Sequence, residues 1–266
     1  MKKHFLHLVL VLTCYCANAQ TMQAMHQQSE SLLKEYPVLW QQTSAEYRAL
    51  CYQAFNIAKL RLDQIPNRQL RKQKLAIITD LDETILDNSF SEAQLIKEGK
   101  EHNSSTWKNW TSKSAATAVP GAVDFLNSAS KKGITIFYIS NRDTADIQST
   151  LSNLKKLGLP NADTLHMLFL SNTSSKEIRR QMVAAQYNVV MLLGDNLNDF
   201  NALFEKKTIA DRFTETDKVK DEWGKKFIVL PNSTYGEWEN ALYNYQKNLT
   251  PQQKETLRKQ LLKGYE

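Results

Sequence analysis

The stretch Asp80-Leu81-Asp82-Glu83-Thr84 places two carboxylates at i and i+2, directly after an apolar run from Leu75 to Thr79. A second run, Ile134 to Ile139, is followed by Ser140-Asn141-Arg142. A third, Val189 to Leu193, is followed by Gly194-Asp195-Asn196-Leu197-Asn198-Asp199, and Lys176 opens the helical pattern before it. Where a chain leaves a strand, neighbouring acids need not share one direction, so one can face a substrate while the other takes a different role. With Asp195 brought in from a neighbouring strand, the set offers the hard oxygen ligands that Mg²⁺ prefers. A cation would also relieve the repulsion of so many acids in one cleft. Ser140, the backbone amides around it and Lys176 are donors suited to phosphate oxygens. The chemistry is that of a nucleophile, a metal and an anion clamp. Each piece alone has a plainer reading: Asp195 or Asp199 as a helix cap, Ser140 and Asn141 as turn residues, Lys176 as a surface lysine. Their order at the ends of successive apolar runs favours a site.

Four runs read as buried strands: the three above and Phe227 to Leu230, with a further short strand expected within His166–Leu170. Helical patterns alternate with them near Val123–Lys132, Thr144–Leu157, Lys176–Tyr187 and Leu197–Lys206. This alternation predicts an α/β fold, a parallel sheet with helices on both faces. Ligands in such sheets bind beyond the carboxyl ends of the strands, where the polar clusters stand. From Thr21 to about Ile65 the chain has helical spacing broken by Pro37, and reads as a helical N-terminal arm. The basic run Arg68, Arg71, Lys72 and Lys74 reads as a solvated linker, with no interleaved aromatics to suggest a nucleic-acid polymer. The amphipathic stretch Thr250 to Leu262 reads as a packing helix.

The chain has 266 residues, 34 Lys and Arg against 28 Asp and Glu, and 42% hydrophobic residues, the composition of a folded soluble protein. Eight Gly and six Pro exclude collagen-like and low-complexity classes. Lys2 and Lys3, an apolar stretch from Phe5 to Cys16 and the small-x-small Ala17-Asn18-Ala19 read as an export signal over residues 1–19. Its removal leaves Cys51 as the sole cysteine, expected to be a small buried residue on a helix. His26, His102 and His166 are not in metal-ligand spacing, so ordinary surface or strand roles are expected of them.

Ile78 to Asn88, Val119-Pro-Gly-Ala122, Ser140-Asn-Arg142, Gly194 to Phe200 and Leu230 to Trp238 resemble the class C acid phosphatases of the haloacid dehalogenase (HAD) superfamily, including the 5′-nucleotidases of the lipoprotein e type. The similarity runs from about Leu75 to Trp238. It implies a HAD-like Rossmannoid core over residues 71–266. It also implies a small helical cap formed by the arm, residues 20–70, and an insertion at about residues 88–118. Asp80 would be the nucleophile and Asp82 the general acid and then base. Asp80, Asp82 through its backbone carbonyl, and Asp195 would bind Mg²⁺, with Asp199 supporting them. Ser140, Asn141 and Lys176 would hold the phosphoryl group. Asn198 departs from the family, which carries an acid just before the position of Asp199, and Ser91 stands where an aromatic is frequent.

The resemblance further implies an exported enzyme, periplasmic or associated with the outer membrane, and brings a lipid anchor and a homodimer into view. Thr13 before Cys14 and Tyr15 before Cys16 argue against the anchor, since a lipidated Cys wants a small residue before it. Trp107 and Tyr235 match the family's base-stacking pair, so the expected substrates are nucleoside 5′-monophosphates, nicotinamide mononucleotide among them. Trp110 and Trp238 are expected to pack in the seam between cap and core. Two other readings stand beside this one. The first is a phosphatase for small non-nucleotide phosphomonoesters, and the second a non-catalytic exported ligand binder on the same fold.

Overall fold

A computed structural model describes residues 33–170 and 172–265. The expected export signal at residues 1–19 and the first part of the arm, residues 20–32, lie outside the described residues. The strands are β1 (Leu75–Thr79), β2 (Leu86–Asp87), β3 (Thr117–Ala118), β4 (Thr135–Ile139), β5 (Met167–Leu168), β6 (Asn188–Gly194) and β7 (Phe227–Val229). Five of them form one parallel sheet in the order β5-β4-β1-β6-β7. β2 and β3 make a separate antiparallel ribbon. Because β1 lies in the middle with both faces covered, every residue in it is buried, and its sequence is apolar without alternation.

Alternate residues of these strands enter two cores. Ile77, Ile136, Tyr138, Met191 and Leu193 face one, packed against helices Ala45–Asp63 and Ala122–Lys131. Ile78, Phe137, Ile139 and Leu192 face the other, where Val183, Phe200 and Phe204 cover them. Each such aliphatic side chain taken out of water contributes roughly 1.5–3 kcal/mol. Cys51 is fully buried in helix Ala45–Asp63, as its sequence context implies.

The arm breaks at Ser44 and not at Pro37. Helix Glu35–Thr43 contains Pro37 in its first turn, where the missing N–H has no helical partner to lose. Ser44 ends that helix and caps the next, its side chain accepting from Tyr47 N at 3.1 Å. The expected helix over Leu197–Lys206 is absent. Two short 3₁₀ turns, Leu197–Asp199 and Ala202–Phe204, replace it. The Asn196 and Asn201 side chains accept from Asn198 N and Leu203 N, competing with helical hydrogen bonds. A helix the pattern does not announce, Ile209–Lys218, follows, capped by Thr208. The C-terminal helix Pro251–Leu261 buries none of its residues and rests on Tyr243 through Arg258 and Lys254.

Between β2 and β3 lie helices Ser89–Glu98 and Ser104–Thr111, and helix Glu35–Thr43 packs on the first of these. Gln41 donates to Asp87 at 2.8 Å and accepts from Thr234 at 3.3 Å, tying this helix to the ribbon and to the segment after β7. Parallel pairing aligns the carboxyl ends of the central strands. Asp80 N bonds Leu193 O at 3.0 Å, Ser140 N bonds Leu168 O at 3.1 Å, and Leu230 N bonds Gly194 O at 2.9 Å. The direction of strand order reverses around β1, so the segments leaving β1, β4 and β6 diverge over one crevice.

Candidate active site

The crevice is a cavity of about 490 Å³ containing Asp80, Asp82, Ser140, Asn141, Lys176, Asp195, Asp199, Trp107 and Tyr235 in its lining. The structure therefore gathers every site residue the sequence singles out. At its floor, Lys176 donates to Asp80 and, at 2.6 Å, to Asp199. Asp80, Asp195 and Asp199 each offer an oxygen, all within 4.8 Å of one another. Gly194 permits this approach: a Cβ there would overlap the Asp199 side chain, which folds back to accept from Asn196 N at 3.0 Å.

The electrostatics of the floor follow from three acids facing one ammonium. Burial, then Asp199, Asp195 and Asp82, push the Asp80 carboxyl well above its usual range, against the pull of Lys176. Burial and Asp199 raise Asp195 to about 7, opposed by a 2.7 Å hydrogen bond from Asn232. Burial works against the charge of Lys176, but Asp199 and Asp80 outweigh it and raise its pKa. The cluster thus holds more negative charge than Lys176 balances. A divalent cation with a preference for carboxylate oxygen fits this donor set.

Buried arginines assemble the rest. Arg179 donates to Ser140 O at 2.6 Å, to the Asn141 side chain at 2.6 Å and to Ser175 O at 3.1 Å, stapling the segment after β4 to the start of helix Glu177–Ala184. The Asn141 side chain also donates to Ser174 O at 2.9 Å, so its amide group is committed to the loops and not to the cleft. Arg180 donates to Asn198 O and Asp199 O at 2.8 and 3.0 Å, fixing the turn after β6.

Asp82 is held from several sides. Arg142 reaches it through Nη2 at 2.6 Å and through Nε at 3.1 Å, and Asn88 donates to it at 2.8 Å. Asn88 in turn accepts from Trp110 Nε1 at 2.8 Å, and its N–H bonds Glu83 at 2.9 Å. Glu83 has a φ of 56°, a left-handed conformation that costs a non-glycine residue free energy. Its carboxyl, pushed well above the usual range by burial and by Asp82, accepts from the Tyr235 hydroxyl. The Arg142 guanidinium also lies 5.4 Å from the Trp107 ring centroid. Both aromatic residues are thereby linked to Asp82, Trp107 through Arg142 and Tyr235 through Glu83 and Asn88.

Several of these residues carry no local signal. Asn88 and Arg142 stand inside recognisable motifs, but their convergence on Asp82 is visible only in three dimensions. Lys34, Glu92 and His102 also line the cavity, the His102 side chain remaining 46% exposed. Trp238, expected to pack, is 43% exposed.

Two comparisons agree with this geometry. Residues 7–238 match the family described as HAD superfamily, subfamily IIIB (acid phosphatase). The class C acid phosphatase from Bacillus anthracis shares 38% identity and a TM-score of 0.83, over 91% of this chain and 100% of its own. Its tungstate-bound form gives 39% identity and the same TM-score, over 89% of this chain and 99% of that one. The family match over residues 7–238, with a fold shared over nearly the whole of both chains, places this protein in subfamily IIIB of the HAD superfamily, as a phosphomonoesterase of the class C acid phosphatase type.

Proposed function

We propose that this phosphatase is exported, depends on Mg²⁺, and hydrolyses nucleoside 5′-monophosphates through a phosphoryl group carried on Asp80. The observation that carries this reading is a single cavity whose lining includes both Asp80, Lys176, Asp195 and Asp199 and the aromatic pair Trp107 and Tyr235. Binding of tungstate, a tetrahedral oxyanion, by the Bacillus anthracis enzyme supports an anion site of this kind.

In the reaction, an Asp80 carboxylate oxygen attacks phosphorus in line with the leaving oxygen. Lys176, Ser140 and the backbone amides beside Asn141 hold the remaining phosphoryl oxygens as charge spreads over them. Asp82 protonates the leaving alkoxide, then takes a proton from the water that cleaves the aspartyl-phosphate. Arg142 and Asn88 fix the Asp82 carboxylate in the orientation a base requires, and the Arg142 contact must loosen for Asp82 to carry the proton. A Mg²⁺ held by Asp80, Asp195 and the Asp82 carbonyl, with Asp199 beside them, would supply electrostatic stabilisation of the transferring phosphoryl group.

The raised pKa of Asp195 gives this assignment a measurable signature. An acid whose folded pKa is raised contributes stability below its unfolded value of about 4, and loses it as pH rises through the folded value. The cation-free protein carries this penalty at neutral and alkaline pH, and a bound cation removes it. The rise in Tm on adding Mg²⁺ should therefore be larger at about pH 8 than at about pH 5. A Mg²⁺ effect on Tm that is flat or larger in acid would contradict the assignment.

Trp107 and Tyr235 serve as the walls of the base site, each stacked base contributing about 1–3 kcal/mol. Trp107→Ala should lower kcat/KM for AMP and nicotinamide mononucleotide roughly tenfold or more relative to p-nitrophenyl phosphate. An unchanged ratio would remove the nucleotide preference and leave small phosphomonoesters as the substrates. Helices Glu35–Thr43, Ser89–Glu98 and Ser104–Thr111 act as the cap that carries one of these walls. Residues 1–19 direct export, which places the enzyme in the periplasm or at the outer membrane. The lipid anchor and the homodimer have only the family resemblance in their favour.

A further inference from the structure

A bar of three side chains in the cavity lining, Lys34, Glu92 and His102, links the two aromatic residues. The His102 ring lies 5.5 Å from the Trp107 ring, centroid to centroid. His102 Nδ1 is 3.7 Å from one Glu92 oxygen, and Lys34 Nζ is 3.3 Å from the other. Lys34 Nζ lies 5.9 Å from the Tyr235 ring centroid. The chain of contacts thus runs from one wall to the other, with residues from the arm, from helix Ser89–Glu98 and from the loop after it. All five side chains line the same cavity as Asp80.

The bar presents a defined chemistry. Glu92 has only 7% of its side chain exposed and both oxygens turned to its partners, whereas Lys34 and His102 are 28% and 46% exposed. Burial works against the charge on Glu92, but His102 and Lys34 outweigh it and hold the carboxyl below its usual range. The carboxylate is thus spent on fixing the cation, and the Lys34 ammonium, which has three donors and gives one to Glu92 among the described residues, lines the cavity. A planar base held between Trp107 and Tyr235 would turn its outer edge toward this group.

Resting on the nucleotide reading above, we infer that Lys34, oriented by Glu92, is a specificity residue that selects 5′-nucleotides whose base carries a carbonyl acceptor on its outer edge. A 6-oxopurine offers such an oxygen on C6, and a 6-aminopurine carries in its place an amino group that cannot accept from the ammonium, leaving only the ring nitrogens N1 and N7 as acceptors. One charge-assisted hydrogen bond gained in one case and denied in the other is worth about tenfold in kcat/KM.

The experiment compares IMP with AMP, which differ in the group on C6 and in the proton on N1, and uses ribose 5-phosphate as the baseless reference. In the full chain with Mg²⁺, IMP should exceed AMP about tenfold in kcat/KM, both exceeding ribose 5-phosphate. The ratio of IMP to AMP should fall to about one in Lys34→Met and be retained in Lys34→Arg, which keeps the donor. In Glu92→Gln, where the ammonium loses its anchor, the ratio should fall partway. Equal turnover of IMP and AMP, both above ribose 5-phosphate, would overturn this inference alone, as would a ratio unchanged in Lys34→Met. Nucleotides turned over no better than ribose 5-phosphate would overturn the nucleotide reading and this inference together.

Discussion

Asp80→Asn should reduce kcat by at least about 10⁴-fold while leaving the fold intact, because it removes the one atom that forms the covalent bond to phosphorus. The substitution is nearly isosteric, and the carboxamide can still accept from Lys176. It also discharges a buried acid repelled by Asp199, Asp195 and Asp82. The cation-free variant should therefore melt at or above the wild-type Tm at neutral pH, with an unchanged circular dichroism spectrum. This pairing of lost turnover with preserved or raised stability separates a chemical role from a structural one. A variant that kept full activity would refute the nucleophile assignment. One that unfolded would show that Asp80 instead serves the fold.

Lys176→Met should fail in the opposite manner. Lys176 is buried and donates to both Asp80 and Asp199. Removing it leaves two acids facing each other without their counter-charge, and breaking a buried pair in this way costs about 3–5 kcal/mol. The cost should shrink in acid, where the raised pKa of Asp80 lets it take up a proton, and shrink again when a cation is supplied. Turnover should fall by about 10³-fold or more even where the protein remains folded, since a donor to the transferring phosphoryl group is gone. Lys176→Arg should recover much of the stability but not the turnover, because a forked guanidinium cannot place its charge where a compact ammonium sits. Urea titration in the presence of chelator at neutral pH measures the first effect. A Lys176→Met protein as stable as wild type there would show that the three acids are not in electrostatic tension.

The parts of this site that were legible from residue type and order are those tied to strand ends. Asp80, Ser140 and Asp195 follow apolar runs, and parallel pairing of β1 with β4 and β6 carries that linear fact into one crevice. Lys176 opens a helix whose position is fixed by the same sheet. The remainder depends on side chains meeting across large separations. Arg142 and Asp82 are far apart in sequence, and Lys34 and Glu92 are brought together only because the arm packs on helix Ser89–Glu98. No local spacing marks either pair. Leu197–Lys206 departs from the helix its pattern predicts for a different reason. Its apolar spacing is helical, but Asn196, Asp199 and Asn201 divert their side chains to nearby backbone amides and to Lys176. At Asp199 the group that spoils the helix is the one the site uses, so local propensity and function conflict there. Pro37 misled in the other direction, since a proline is harmless in the first turn of a helix.

Acid quenching during turnover shows whether phosphate passes through the carboxylate of Asp80. With p-nitrophenyl phosphate, whose phenolate departs without a proton, and Mg²⁺, the Asp82→Asn protein should accumulate the acyl phosphate, because the base that activates water is missing. Peptide mass mapping of the quenched protein should then place one added phosphoryl group on Asp80. Turnover with no covalent phosphate at any quench time, or a phosphoryl group mapped to another residue, would contradict the account.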